Sequence, residues 1–215
     1  MNVFRLAGDM THLLSIIVLL LKIRTKKSCA GISLKTQELY VIVFLTRYLD
    51  LFTRYISIYN TVMKLVFIGT SIRIVWYMRY HKVVKQTYNK DQDSFKHYLL
   101  LPPCFVLALL VHHAFDIVEV LWAFSIYLEA VAILPQLLLL QRSRNIDNLT
   151  GNYVFLLGAY RALYIINWIY RFFTENQKFR WIPWVSGLIQ TALYADFFYY
   201  YVKSWKKQEK LQLPA

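Results

Sequence analysis

The sequence predicts an all-α membrane protein with seven transmembrane helices. Composition is the first reason: 58% of the 215 residues are hydrophobic, 17% are charged, and the mean hydropathy is +0.37. A soluble domain carries roughly 45–50% apolar and about 25% charged residues. The second reason is a series of seven apolar runs, each close to the roughly 17–25 residues that a membrane helix needs. Seven such helices leave no room for a separate catalytic domain.

The seven predicted spans follow one another along a single transmembrane domain, 1–215. The first is expected to be retained, because no positively charged region or small-residue cleavage site accompanies it. The fourth and sixth are only moderately apolar. In order, the spans are approximately 2–21, 38–57, 61–79, 98–113, 117–140, 152–173 and 181–202, and 203–215 is a tail.

Positive charges are unevenly distributed between the two sides of this predicted bundle. Lysine and arginine total 25 against 12 acidic residues, a net charge of +13. Sixteen basic residues fall on one side, in the segments 22–35, 79–96, 142–144 and 203–210. The other side has only Lys64, Lys178 and Arg180. The positive-inside rule then predicts, for a protein in the lipid bilayer, a cytosolic C-terminus and an N-terminus outside the cell or in a lumen. A nucleic-acid partner, which this charge would suggest in a soluble protein, loses its support.

An internal repeat of 114 residues relates the two halves of the chain. Three residue types recur at this spacing: Ile32 and Ile146, Thr36 and Thr150, and Arg47 and Arg161. Repeats of about 1–80 and 117–202 are therefore predicted, with a linker helix at about 98–113. SWEET-type transporters have this 3+1+3 parallel arrangement, with the site between the halves. Pro135-Gln136 also resembles the PQ-loop family, although a proline there can simply kink the helix.

Charged side chains inside the predicted spans are functional candidates, because each costs about 2.5–3.5 kcal/mol to insert at the bilayer centre. The arginines are Arg5, Arg47, Arg54, Arg73, Arg161 and Arg171, and the acids are Asp9, Asp50, Glu119, Glu129 and Asp196. Arg54 and Arg73 lie near span ends, where a long side chain can reach the interface.

The other arginines predict a lumen-facing cavity that binds carboxylates. In span six, a 3-4-3 spacing along one face joins Arg161, Tyr164, Trp168 and Arg171. A guanidinium donates two parallel hydrogen bonds to a carboxylate. Asp50, Glu119 and the indole of Trp122 instead suit a cation. The implied ligand therefore carries several carboxylates and one positive group.

Two alternatives remain open for these residues. The charges can pair with one another, as Arg47 with Asp50 and Arg161 with Glu129, and merely hold helices together. His12, deep in span one, is either a packing residue or the proton switch of the cavity, because histidine titrates near neutral pH.

Long collinear motifs cover almost the whole chain. They are NVFR at 2–5, KSCAGIS at 27–33, TRYLDLF at 46–52, WAFSIYLE at 122–129, YRALY at 160–164, YADFFY at 194–199 and LPA at 213–215. Together they resemble the ER lumen protein-retaining receptors, which recognise C-terminal KDEL or HDEL tails. The resemblance implies a ligand with three carboxylates and one cation.

The resemblance also implies a signal-binding set of eight residues: Arg5, Arg47, Asp50, Glu119, Trp122, Tyr164, Trp168 and Arg171. Arg47 would hold the terminal carboxylate of the tail. Arg5 and Arg171 would hold its Glu and Asp side chains. The Lys or His at the first signal position would meet Glu119, Asp50 and Trp122.

A second implied set acts away from the ligand. His12, hydrogen-bonded to Tyr160, would be the pH sensor, with Arg161 and Glu129 in the same network. Asp196 would be linked to transport, and Lys206 and Lys207 would recruit the COPI coat. One departure is the last lumenal turn, where animal members carry an Asp and this chain has Lys178-Phe179-Arg180.

The expected function is a pH-dependent sorting receptor of Golgi, ER–Golgi intermediate and ER membranes. It would bind retrieval signals in the Golgi and return them to the ER. The alternative is a small-solute transporter of the SWEET or PQ-loop type, but sugar carriers need neutral pockets. An enzyme is not expected, because the sequence has no nucleophile–base set, metal-ligand spacing or phosphate loop. No cofactor is expected either.

Overall fold

The computed structural model describes residues 2–51, 55–143, 146–174 and 181–213, and in these ranges it is helical without strands. The all-α prediction is therefore confirmed, while predictions for Arg54, Arg144, Lys178 and Arg180 lie outside the described residues. The helices are α1 (Val3–Lys26), α2 (Leu34–Arg47), α3 (Ile58–Tyr80), α4 (Lys82–Gln86), α5 (Leu101–Leu110), α6 (Ile117–Val131), α7 (Leu134–Arg142), α8 (Asn148–Thr174) and α9 (Trp181–Lys207). Short 3₁₀ turns occupy Leu49–Leu51 and His97–Leu100.

Three helical units in the described ranges are long and apolar enough to cross a membrane. They are α1, α3 and the stretch Ile117–Arg142 that contains α6 and α7. Large apolar side chains also remain exposed along α1, where Leu14 and Leu21 face outward. Such an outer surface fits a membrane protein, because lipid replaces water as its solvent. The count of seven spans stays a prediction.

Polar side chains just before the helices fix where several of them begin. The side chain of Asn2 accepts a hydrogen bond from the backbone N–H of Arg5 (2.8 Å), and Ser33 does the same for Thr36 (3.2 Å). Ser57 caps α3 in the same way. These bonds satisfy N–H groups that have no partner within the helix.

Span two, predicted at 38–57, is wrong as a continuous helix. The helix α2 ends at Arg47, a 3₁₀ turn follows, and 55–57 are not helical. The turn brings Asp50 to Lys64 on α3, where the two side chains form an ion pair of 2.7 Å. Lys64, which was predicted to lie in a lumenal turn, is thus a buried residue in the second turn of α3. A contact between helices determines this geometry, and an apolar run alone cannot reveal it.

Two other spans also differ from their predicted limits. Span five is interrupted after Val131, because Pro135 has no N–H to donate to the carbonyl of Val131. Helix α9 continues to Lys207, five residues beyond the predicted span, so the predicted tail begins inside a helix. Helix α1 likewise continues past the predicted end to Lys26.

Helix α1 packs most extensively against α8, and α2 packs between α3 and α6. We call the end of the molecule that contains Asn2 and the start of α1 the Asn2 end, and the opposite one the Lys26 end. At the Lys26 end the Lys22 ammonium donates hydrogen bonds to the carbonyl of Ala30 (2.6 Å) and to the Thr150 hydroxyl. There, too, the Gln136 N–H donates to the Thr36 hydroxyl at 3.0 Å. We refer to the four residues Lys22, Thr150, Gln136 and Thr36 as the interlock.

Candidate functional site

A cavity of about 400 Å³ lies between α1, α2, α3, α6 and α8, toward the Asn2 end. Its size is within the roughly 300–1,000 Å³ that small-ligand sites occupy. Most of the residues predicted from the sequence line it: Arg5, His12, Arg47, Asp50, Trp122, Glu129, Tyr160, Arg161, Tyr164, Trp168 and Arg171. The structure therefore brings together residues that are up to 166 positions apart in the sequence.

The floor of the cavity is a carboxylate held by two arginines. Arg47 Nη1 lies 2.5 Å from Glu129 Oε2, and Arg161 Nη2 lies 2.6 Å from the same oxygen. The Tyr160 hydroxyl donates to Glu129 Oε1 at 2.7 Å. Arg47 also donates to the hydroxyl (3.1 Å) and the carbonyl (3.0 Å) of Ser125. One carboxylate between two guanidinium groups leaves one positive charge without a counter-charge, which favours an anionic ligand.

The ring of His12 is stacked between two aromatic rings next to this floor. Its ring lies parallel to that of Tyr160, with 4.0 Å between the centroids, and 4.7 Å from that of Phe67 on the other side. The resemblance implied a hydrogen bond between His12 and Tyr160. The structure has a ring stack there instead, because the Tyr160 hydroxyl donates to Glu129. Tyr160 thus links His12 to the floor.

The structure also decides between the pairings left open by the sequence. Arg161 pairs with Glu129, as the alternative interpretation predicted. Arg47 pairs with Glu129 rather than with Asp50, and Asp50 pairs with Lys64. Helix α2 ends at Arg47, so the chain direction changes between Arg47 and Asp50. Their spacing in the sequence therefore does not place them together.

Aromatic and polar side chains form the wall nearer the Asn2 end. The rings of Tyr164 and Trp168 on α8 are 6.2 Å apart. Asn2 donates to Asn167 at 2.7 Å and joins the ends of α1 and α8. Arg5 and Arg171 line the cavity at this level. The stripe predicted along α8 is thus one wall of the cavity.

Four predicted residues lie elsewhere. Glu119 is in the first turn of α6, one turn before Trp122, and is not part of the cavity lining formed by the described residues. Asp196 is on the exposed side of α9, and Lys206 and Lys207 are exposed in its last turn at the Lys26 end.

Several lining residues were not proposed as ligand contacts from the sequence, notably Asp9, Tyr48, Tyr59, Lys64 and Asn167. Asp9 and Lys64 carried a usable signal, because both are charges in or beside apolar runs. Tyrosine and asparagine carry no such signal. In the described part of the lining, five basic residues (Arg5, Arg47, Lys64, Arg161, Arg171) exceed three acidic ones (Asp9, Asp50, Glu129). No cluster of three or more His, Cys, Asp or Glu in the described ranges could hold a metal ion.

The fold and this cavity fit the class of helical membrane proteins, here with a cationic cavity toward one end. Residues 28–171 match the family model described as ER lumen protein retaining receptor. Over 215 residues, covering both chains completely, the chain is 69% identical to ER lumen protein-retaining receptor B of Arabidopsis thaliana and to the ER lumen protein-retaining receptor of Petunia hybrida. The receptor of Drosophila melanogaster is 53% identical over the same coverage. The chain belongs to the ER lumen protein-retaining receptor family.

Proposed function

We propose that this protein is a sorting receptor that binds the C-terminal KDEL- or HDEL-type tetrapeptide of lumenal ER proteins. The observation that carries the proposal is the unbalanced floor, where Arg47 and Arg161 share one carboxylate. A tail with three carboxylates supplies the missing negative charge. The names and high identity of the relatives support the same function.

The ligand fits the cavity in one direction. Its terminal carboxylate reaches Arg47 at the floor, and its Glu and Asp side chains pair with Arg5 and Arg171 at the wall. Tyr164 and Trp168 line its path. The cation at the first signal position lies toward Trp122, Asp50 and Glu119. Asp50 must then exchange part of its contact with Lys64 for the ligand.

The Asn2 end faces the lumen and the Lys26 end the cytosol in this proposal. Basic residues of the segments 22–35, 79–96 and 203–210 then lie on the cytosolic side, as the positive-inside rule requires. The cavity is thereby open to the compartment in which the ligand occurs. Residence in Golgi, intermediate and ER membranes follows from this function.

The interlock supports seven spans built from two parallel repeats and a linker helix. Lys22 and Gln136 are 114 residues apart, and so are Thr36 and Thr150. Each member of the first pair donates to the threonine of the other half. Reciprocal contacts of this kind are expected around a pseudo-twofold axis along the membrane normal.

The floor follows the same spacing. Arg47 and Arg161, also 114 residues apart, bind a single oxygen of Glu129 from two sides. The repeat thus supplies two equivalent arginines at the level where the terminal carboxylate is proposed to bind.

Binding is proposed to depend on pH through His12. Protonation in the more acidic Golgi adds a positive charge beside Tyr160 and favours the anionic ligand, and neutral pH in the ER reverses this. The ligand-bound receptor then returns in COPI vesicles through Lys206 and Lys207, with Asp196 involved in transport.

Peptide binding tests the proposal directly. We expect purified receptor to bind KDEL- and HDEL-ended peptides more tightly at about pH 5.5 than at about pH 7.5. C-terminal amidation should weaken binding at least tenfold, because it removes the charge that meets Arg47. Equal binding of amidated peptides would contradict the role of Arg47. Full pH dependence in His12→Ala would contradict the sensor assignment.

A small-solute carrier of the SWEET or PQ-loop type is the second candidate, favoured by the interlock and by Pro135-Gln136 at the break between α6 and α7. The excess of basic residues in the cavity argues against neutral sugars. Uptake of sugars or amino acids into proteoliposomes, without binding of tail peptides, would favour the carrier.

A further inference from the structure

Asp9 is the cavity carboxylate that the proposed function does not use. Of the three acids that line the described cavity, Asp50 is paired with Lys64, and Glu129 with two arginines. Asp9 instead accepts hydrogen bonds from two tyrosines. The Tyr59 hydroxyl donates to Oδ2 at 2.9 Å, and the Tyr164 hydroxyl donates to Oδ1. Within the described ranges no basic side chain forms an ion pair with it.

Gly8 and Asp9 together form a seat for Tyr164. A Cβ atom on Gly8 would lie 2.9 Å from Cδ2 and 3.0 Å from Cε2 of the Tyr164 ring, closer than such atoms approach. The missing side chain therefore lets the ring lie directly against α1. The next residue, Asp9, then receives its hydroxyl. The position of the Tyr164 side chain is therefore fixed both by its close contact with Gly8 and by its hydrogen bond to Asp9.

The second bond of Asp9 reaches the opposite wall of the cavity. Tyr59 is in the first turn of α3, whereas Tyr164 is on α8. Asp9 on α1 consequently joins three helices near the Asn2 end. Among the described residues, this part of α3 also forms the ion pair of Lys64 with Asp50. The Tyr59 hydrogen bond and the stack of Phe67 on His12 (4.7 Å between the centroids) both hold α3 against α1 beside the cavity.

We propose that Asp9 is a positioning residue of the binding cavity: through Tyr59 and Tyr164 it holds α3 and α8 at the separation that fits the tail peptide. This inference rests on the proposed function. Asp9 does not itself contact the acidic groups of the ligand, because like charges repel. Its contribution passes through the two tyrosines.

Isosteric and shortened variants separate this role from direct binding. Asp9→Asn can keep both contacts, because its amide oxygen accepts from one hydroxyl and its NH₂ donates to the other. It also removes a negative charge near an anionic ligand. We therefore expect Asp9→Asn to bind an HDEL-ended peptide at least as tightly as the wild type. Asp9→Leu should bind it about tenfold more weakly, because both hydrogen bonds are lost.

Tyr59→Phe provides a second test that removes only one oxygen atom. It should weaken binding severalfold in the wild type and cause no further loss in Asp9→Leu. The matched control is Tyr199→Phe on the exposed surface of α9, where no change is expected. Equal losses in Asp9→Asn and Asp9→Leu would mean that Asp9 binds the ligand cation itself. Additive losses in the double variant would also overturn the proposal.

Melting temperatures of the same variants, measured without peptide, separate a failure of the proposed function from a failure of the Asp9 contact. If the wild type does not bind the peptide, the proposed function fails, but the coupling between Asp9 and Tyr59 still appears in the melting temperatures. Absence of that coupling would overturn the three-helix contact whatever the ligand.

Discussion

The cavity floor and the interlock are both buried polar networks between the two halves of the chain, but their charges differ. At the floor, Arg47 and Arg161 share one carboxylate and one positive charge remains. In the interlock, the Gln136 side chain accepts from the Ser33 N–H and donates to the Gly31 carbonyl, both at 2.8 Å. Every polar atom of that side chain has a hydrogen-bond partner, and the charge of Lys22 is met by the Asp147 carboxylate at 3.6 Å.

If the proposed function is correct, the floor takes part in ligand binding, whereas the interlock only holds the helices together. A network whose hydrogen bonds and charges are all satisfied stabilises one arrangement of helices and offers nothing to a ligand. A network with an uncompensated positive charge can still be stabilised by an added negative charge. Substitutions in the interlock should therefore change stability alone, whereas substitutions at the floor should change stability and binding.

Glu129→Gln should have the largest effect. It leaves two buried guanidinium groups without their shared counter-charge, and we expect a loss of about 3–5 kcal/mol in the free energy of unfolding. The melting temperature in detergent measures it. Glu38→Gln is the matched control, because it weakens only the contacts with the half-exposed Arg79 (2.6 Å) and with His97 (3.1 Å) and should cost at most about 1 kcal/mol. Similar losses in both variants would remove the distinction between floor and surface.

Gln136→Leu should have the next largest effect on stability. It leaves the N–H of Ser33 and the carbonyl of Gly31 without partners, at an expected cost of about 2–3 kcal/mol in the free energy of unfolding. Gln141→Leu, on the partly buried side of the same helix, should change stability little. The ratio of affinities for free and amidated peptides should stay at the wild-type value in both. A changed ratio for Gln136→Leu would show that the interlock shapes the site.

Arg47→Lys should weaken binding of the free peptide about tenfold, because an ammonium group cannot bind a carboxylate through two parallel bonds. Amidated peptide should bind this variant and the wild type with similar, low affinity. Arg73→Lys on the exposed face of α3 serves as the control. Titration of both peptides by calorimetry measures the difference. Equal losses for the two peptides would place the terminal carboxylate elsewhere.

The sequence predicted the composition of the site better than its contacts. Arg47, Arg161 and Glu129 stood out because a charge in an apolar run is costly and therefore conspicuous. The sequence did not reveal that both arginines bind the same oxygen of Glu129, because this contact depends on how α2, α6 and α8 are rotated about their axes. The stack of His12 on Tyr160 is unpredictable for the same reason.

Chain direction and helix packing explain two further contacts that the sequence did not reveal. The end of α2 at Arg47 turns Asp50 toward Lys64, and no residue in that apolar run signals a turn. Glu119 and Trp122 are one turn apart in the sequence, yet Trp122 alone lines the described cavity. Spacing identified the helix face, whereas the depth of each residue follows from the packing of α6.

Asp147→Asn should have the smallest effect, at the Lys26 end. Burial alone would raise the pKa of this carboxyl, but the hydrogen bond from Lys26 (2.5 Å) and the charge of Lys22 (3.6 Å) lower it below its ordinary value. A carboxyl with a lowered folded-state pKa stabilises the fold above its unfolded-state pKa of about 3.9, and this stabilisation disappears as the pH falls through the folded-state value. The variant should therefore lose at most about 1 kcal/mol near neutral pH, because solvent screens the pair. Its melting temperature should converge with that of the wild type in acid. A difference that persists or grows in acid would mean that Asp147 acts through packing and not as the counter-charge of Lys22 and Lys26.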